Sequence, residues 1–196
     1  MHMGLVSPIE EDVYLEESGF RRKKFVYDKR VHHSYIFVAG GEVYTVVFGS
    51  IKDENTFQKI GYSLEPGMAF PHNGMSEVYF DIWIDRESFG DFRHVKFKGL
   101  AGGVVLEQVA LAMLQHYQTF DIGGFVFQAA SGGVADIDRK TSLEETYDYI
   151  LGLKHEQRYN KKTGLPKGKP RKLLPDFLKV YKDDSTGRAC YAVTSQ

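Results

Sequence analysis

Gly99-Leu100-Ala101-Gly102-Gly103 joins a strand-like run, Val95 to Lys98, to the longest apolar helical run of the chain, Val104 to Tyr117. The apolar run from Gly124 to Ala130 reads as a second strand, so the expected order is strand, glycine turn, helix, strand. That order suits phosphate binding. Glycines let the backbone approach an anion, and the first N–H groups of a helix, at its positive dipole end, can hold a pyrophosphate. Gly99, Leu100, Ala101, Gly102, Gly103 and Val104 are therefore candidate ligands, through their backbone, for a phosphate-bearing cofactor such as coenzyme A. The same spacing also serves a tight strand-to-helix turn that carries no ligand.

A second candidate lies on the run Val78 to Asp85, which alternates strictly. Val78, Phe80, Ile82 and Ile84 share one face, and Glu77, Tyr79, Asp81, Trp83 and Asp85 share the other. A face that mixes acids with aromatics is either partly covered or the floor of a cleft. A general base drawn from Asp81 or Asp85 needs its pKa raised by burial or by a like charge. Other chemistries find little support. The seven histidines do not form a metal-ligand pattern, since His32 and His33 are adjacent and point oppositely on a strand, while His72, His94, His116 and His155 are scattered. No Ser or Cys stands in a nucleophile-elbow context.

These residues need a scaffold, and 196 residues with 42% hydrophobic and 14% aromatic content supply one domain with a sizeable core. The expected class is mixed α+β. Ser7-Pro8-Ile9-Glu10 has the form of a helix start, with the helix ending near Gly19. Short β-rich runs follow at Phe25 to Tyr27, Tyr35 to Val38, Val43 to Phe48, Phe57 to Leu64 and Val78 to Asp85, with Gly40-Gly41 as a two-residue hairpin turn. They form an antiparallel meander. The central helix is apolar over most of its circumference, with Glu107, Gln108, Gln115 and His116 on its wetter side. Its crossover makes the flanking strands parallel. A further helix begins at Thr141-Ser142-Leu143-Glu144-Glu145 and carries Tyr147, a short helix is expected at Leu174 to Tyr181, and Arg188 to Thr194 reads as a last strand.

Composition narrows the setting. A formal charge of −1 gives no overall attraction to nucleic acid, and the lone Cys190 rules out an intrachain disulfide framework. No run reaches the ~18 apolar residues of a membrane helix, and the acids of Met1 to Phe20 do not suit a signal peptide, so a cytoplasmic protein is expected. Arg158 to Leu173 carries seven basic residues and no acid. It reads as a mobile basic loop, either solvated or in contact with an acidic partner or the phosphates of a nucleic acid.

Meander, glycine turn, buried helix, parallel strand and tyrosine-bearing helix follow the order of the Gcn5-related N-acetyltransferases. Lys98-Gly99-Leu100-Ala101-Gly102-Gly103 resembles that family's pyrophosphate loop, and Tyr147-Asp148-Tyr149-Ile150-Leu151-Gly152-Leu153 resembles its closing tyrosine helix. The resemblance spans roughly Val43 to Leu153 in layout. Small bacteriophage proteins with an acetyltransferase-like half share that layout. The resemblance implies an acyl-coenzyme A donor such as acetyl-coenzyme A lying between two splayed strands, and a small amine or protein lysine as acceptor. It also implies Tyr147 as the acid that protonates the leaving thiolate, and Asp81 or Asp85 as the relay for the acceptor's proton. Without catalysis, the same fold implies an accessory protein that binds a protein or nucleic-acid partner. Tyr147 also fits a plain core position. The usual loop has Arg or Gln at its basic position, where Lys98 stands near here. The arginine that commonly precedes the tyrosine is absent.

Overall fold

A computed structural model of the chain describes residues 13–15, 20–82, 101–128, 142–153, 163–164, 173–175, 178–183 and 189–195. They build a mixed sheet of eight strands with three helices: β1 (Val13–Leu15), β2 (Phe20–Tyr27), β3 (Arg30–Ala39), β4 (Glu42–Ile51), α1 (Glu54–Lys59), β5 (Met75–Ile82), α2 (Ala101–Thr119), β6 (Gly124–Gln128), α3 (Ser142–Ile150), β7 (Leu178–Asp183) and β8 (Cys190–Ser195). The spatial order is β1-β2-β3-β4-β5-β6-β8-β7. Every neighbouring pair is antiparallel except β5 and β6, which run parallel and are linked through α2. The mixed α+β expectation thus holds. The Val95 to Lys98 run lies outside the described residues, and the parallel neighbour of β6 is the earlier strand β5.

The meander is built from two tight hairpins. Gly40 and Gly41, at φ +59° and +85°, close β3 onto β4, with both residues in the left-handed region that a type I′ turn requires. Asp28 and Lys29 close β2 onto β3 with the same signs, φ +46° and +60°, but without glycine.

Three local readings give way to tertiary pairing. Val13–Leu15, expected within a helix, pairs with Phe20–Arg22, because a short β-prone triplet gains ladder hydrogen bonds there that a lone helical turn does not offer. The Phe57 to Leu64 run instead enters through α1, whose N-cap Asp53 accepts a 2.8 Å hydrogen bond from the Thr56 N–H. Leu178–Asp183 is a strand on β8, although Leu174, Leu178 and Tyr181 carry a helical spacing.

Two cores result, one on each face of the sheet. Under α2 and α3 lie Tyr35, Phe48, Val105, Met113, Phe125, Tyr147 and Tyr191, among others. Beneath α1 and the segment after it lie Ile51, Phe57, Tyr62, Met75 and Val126. His116 corrects the helix reading. It is only 2% exposed and faces the first core, whereas Val104 and Leu111 are exposed. Within the described residues no helix is long and apolar enough to cross a membrane.

The Asp28-Lys29 turn generates a test. A non-glycine residue held at positive φ costs about 1–2 kcal/mol, against the ~0.5–1 kcal/mol of entropy that glycine loses on folding. Lys29→Gly is expected to raise stability by about 0.5–1 kcal/mol in urea denaturation, with an unchanged m-value.

Candidate functional site

The parallel junction of β5 and β6 begins where the Gly123 N–H donates to the Gly74 carbonyl at 2.8 Å, and it continues through Ser76↔Phe125 and Glu77↔Val126. There the pairing stops. β5 goes on along β4 as far as Tyr44↔Ile82, and β6 goes on along β8 as far as Gln128↔Cys190. The residues that would pair next, Val78 with Phe127 and Tyr79 with Gln128, are not part of this ladder, while each strand keeps its outer neighbour.

Helix α2 packs against β3 and β4. Its C-terminal part lies at the start of β5, where His116 Nε2 is 3.2 Å from Ser76 Oγ. Counting back from His116 to Gly103 at ~1.5 Å per residue, the start of the helix lies roughly 20 Å along its axis from this contact. That start is open. Gly103 is exposed with empty space where a Cβ would stand, Val104 is 48% exposed, and the first turn carries no acid. The first N–H groups of α2 have no helical carbonyl to bond and lie at the positive dipole end.

The other expected site residues distribute unevenly. Ala101 and Gly102 belong to the first turn of α2, while Gly99 and Leu100 lie outside the described residues. Asp81 stands on β5 beyond the parting point, opposite Thr45, and Asp85 lies outside the described residues. Tyr147 on α3 is 4% exposed, with its ring edge-on to Phe127 at 5.3 Å and to Tyr191 at 5.6 Å. Burial pushes its hydroxyl pKa well above the ordinary tyrosine value. The tyrosine is thus a member of the first core, one side chain removed from the parting edge of β6. Most of Arg158 to Lys172 lies outside the described residues.

A polar cluster that the sequence reading did not single out sits on the opposite face of β5. Glu77, 5% exposed, meets Arg30 at 2.9 Å and accepts a 3.2 Å hydrogen bond from the Tyr62 hydroxyl. Tyr79 stands close enough to Glu77 and Arg30 to respond to both charges. Burial acts to lower the Arg30 pKa, but the Glu77 carboxylate outweighs it and holds the guanidinium above its ordinary value. Burial and the same carboxylate raise the pKa values of Tyr62 and Tyr79. Its signal was the acid-and-aromatic face of Val78 to Asp85, which in its described part, Glu77 and Tyr79, is a covered face.

A second missed cluster docks α3. Lys182 lies 2.8 Å from Glu144 and 3.0 Å from Asp148, and Asp148 accepts a 2.8 Å hydrogen bond from the Tyr191 hydroxyl. The described residues hold no group of three or more His, Cys, Asp or Glu side chains able to bind a metal ion. Comparison with protein-family models, curated proteins and solved structures finds no match to the chain.

Removing one member of a buried ion pair leaves the other charge uncompensated, at a cost of about 3–5 kcal/mol. Glu77→Gln, which keeps the shape and loses the charge, is expected to destabilise the fold by about 3 kcal/mol. Adding Arg30→Met should restore part of the loss, as a double-mutant cycle in urea would read.

Proposed function

We propose that this chain is an acyl-coenzyme A-dependent N-acyltransferase acting on a small amine or a protein lysine. The observation that carries the reading is the parallel ladder of β5 and β6, two residue pairs long, between strands that the chain joins through α2, whose first turn holds the exposed Gly103. An opening between parallel strands exposes unpaired backbone groups that an extended amide-containing arm can bond, while the helix start suits a pyrophosphate. The sheet order, with one parallel pair inside an antiparallel frame, supports the Gcn5-related acetyltransferase resemblance.

In this reading the backbone N–H groups from Leu100 to Val104 hold the pyrophosphate. The acceptor nitrogen attacks the thioester carbonyl carbon, a C–N bond forms and the C–S bond breaks. Asp81 or Asp85 takes the proton lost by the amine, and Tyr147 supplies one to the departing sulfur. Catalysis then rests on proximity and proton removal, with no covalent enzyme intermediate.

The burial of Tyr147 favours a second reading, an acetyltransferase-like accessory protein that works by binding a protein or nucleic-acid partner. A hydroxyl sealed in an aromatic core and raised in pKa is poorly placed to serve as an acid.

Calorimetry with acetyl-coenzyme A separates the two. Heat of binding at or below about a millimolar, equivalent to roughly 4 kcal/mol, is expected for the enzyme. No heat in that range favours the accessory reading. Gly103→Val is expected to abolish the heat while keeping the fold, because its side chain enters open space at the helix start.

Tyr147→Phe divides the roles further. An acid is expected to cost ~10- to 100-fold in turnover with binding unchanged, at or below the usual range for acid–base groups. A purely structural tyrosine is expected to change stability by about 1 kcal/mol or less and to leave transfer intact.

A further inference from the structure

The end of α2 opposite the proposed cofactor site is fastened to the sheet by two imidazoles. His116 stacks on Phe48 at 4.2 Å and 9°, places Nε2 3.2 Å from Ser76 Oγ and places Nδ1 3.4 Å from the Tyr35 hydroxyl. A neutral imidazole serves both, donating through one nitrogen and accepting through the other. His33 stacks on Phe120 at 4.1 Å, with its ring 5.4 Å from that of His116. Arg22 lies 5.2 Å over the Phe120 ring.

The charges around this pair are of one sign. Strand β2 presents Arg22 and Lys24, and β3 presents His33 itself and the hydroxyl of Tyr35. Strands β4, β5 and β6 present Phe48, Ser76 and Phe125. From α2 come Phe120, just past its end, and Thr119, whose hydroxyl donates to the Gln115 carbonyl at 2.7 Å. The nearest acid in sequence, Asp121, accepts a hydrogen bond from Asn73. His32 and Glu77 lie on the other face of the sheet, His32 stacked on Phe25 and bonded to the Arg30 carbonyl.

We propose that His33 and His116 form an acid-operated latch, which holds the C-terminal turns of α2 on the sheet while both rings are neutral and releases them when both are protonated. The hydroxyls of Ser76 and Tyr35 can turn to accept from a protonated ring, so hydrogen bonding does not resist the change. The resistance is a buried positive charge beside Arg22 and Lys24 with no described carboxylate facing it.

Burial, then those cations and the adjacent His32, hold His33 down to about 4. Burial, then His33 and Arg22, hold His116 to about 2. Both lie below the ordinary histidine value of 6.5, so the closed form is favoured in full above pH 6.5. It loses ground as pH falls from 6.5 toward 4, because the released turns bind protons that the closed form does not.

Hydrogen exchange of the amides from Met113 to Phe120 in the full chain, corrected for intrinsic rates, tests this. The opening constant is expected to rise about 100-fold per pH unit between roughly pH 6 and 4, about tenfold for each histidine. His33→Gln and His116→Gln should each reduce the dependence to about tenfold. His32→Gln, on the opposite face, should leave the dependence at about 100-fold. His33 is half-buried, so its variant keeps the test available if His116→Gln fails to fold. A pH-independent opening, a slope that survives His33→Gln, or opening of the α2 end only together with β3, β4 and β8 would overturn the latch.

Discussion

Among the described residues, the ladder that joins the halves of this sheet is two residue pairs long. Strands β1 to β5 form a continuous antiparallel meander and β6, β8 and β7 a second antiparallel unit, and between them the ladder consists of Ser76↔Phe125 and Glu77↔Val126. So narrow a junction contributes few hydrogen bonds, and both of its β5 residues are polar and buried. Each is tied to a different face: Ser76 to His116 on α2, and Glu77 to Arg30 and Tyr62 on the other side. The polar ties act like rivets through the sheet, where apolar packing alone would leave register loosely specified.

The narrowness has a functional counterpart. Because the ladder ends after Glu77, β5 and β6 each present an edge that this ladder does not cover. Most sheets hide such edges. Here the proposed acyltransferase reading gives them a use, and the two ends of α2 differ, with Gly103 and Val104 exposed at one and His116 buried at the other.

Buried charge recurs in two places, and in both it joins elements distant in sequence. Arg30 reaches Glu77 across the meander, and Lys182 reaches Glu144 and Asp148 across the β8 side of the sheet. Such pairs contribute little net stability after desolvation, yet each rejects arrangements that would leave a charge unpaired. Aromatic packing supplies the apolar share, with Phe127 stacked on Tyr191 at 5.4 Å and Tyr147 edge-on to both.

Hydrophobic pattern and turn chemistry alone determined the meander apart from Phe57 to Leu64, the long helix, the strand after it, the helix bearing Tyr147 and the Gly40-Gly41 hairpin. Each is set within a few residues by φ preference or by a period that one element satisfies. The sequence also pointed to the glycine-rich start of α2 and to the acid-and-aromatic face of β5. Only the tertiary structure decided that Val13–Leu15 and Leu178–Asp183 are strands, since a short segment takes the conformation of the neighbour that offers it hydrogen bonds. It alone placed His116 inside, where a polar residue at a polar-looking helical position found Ser76 and Tyr35. And it alone showed the β5–β6 ladder ending after Glu77 while β5 continues along β4 and β6 along β8, a point that depends on strands distant in sequence and that no local sequence encodes.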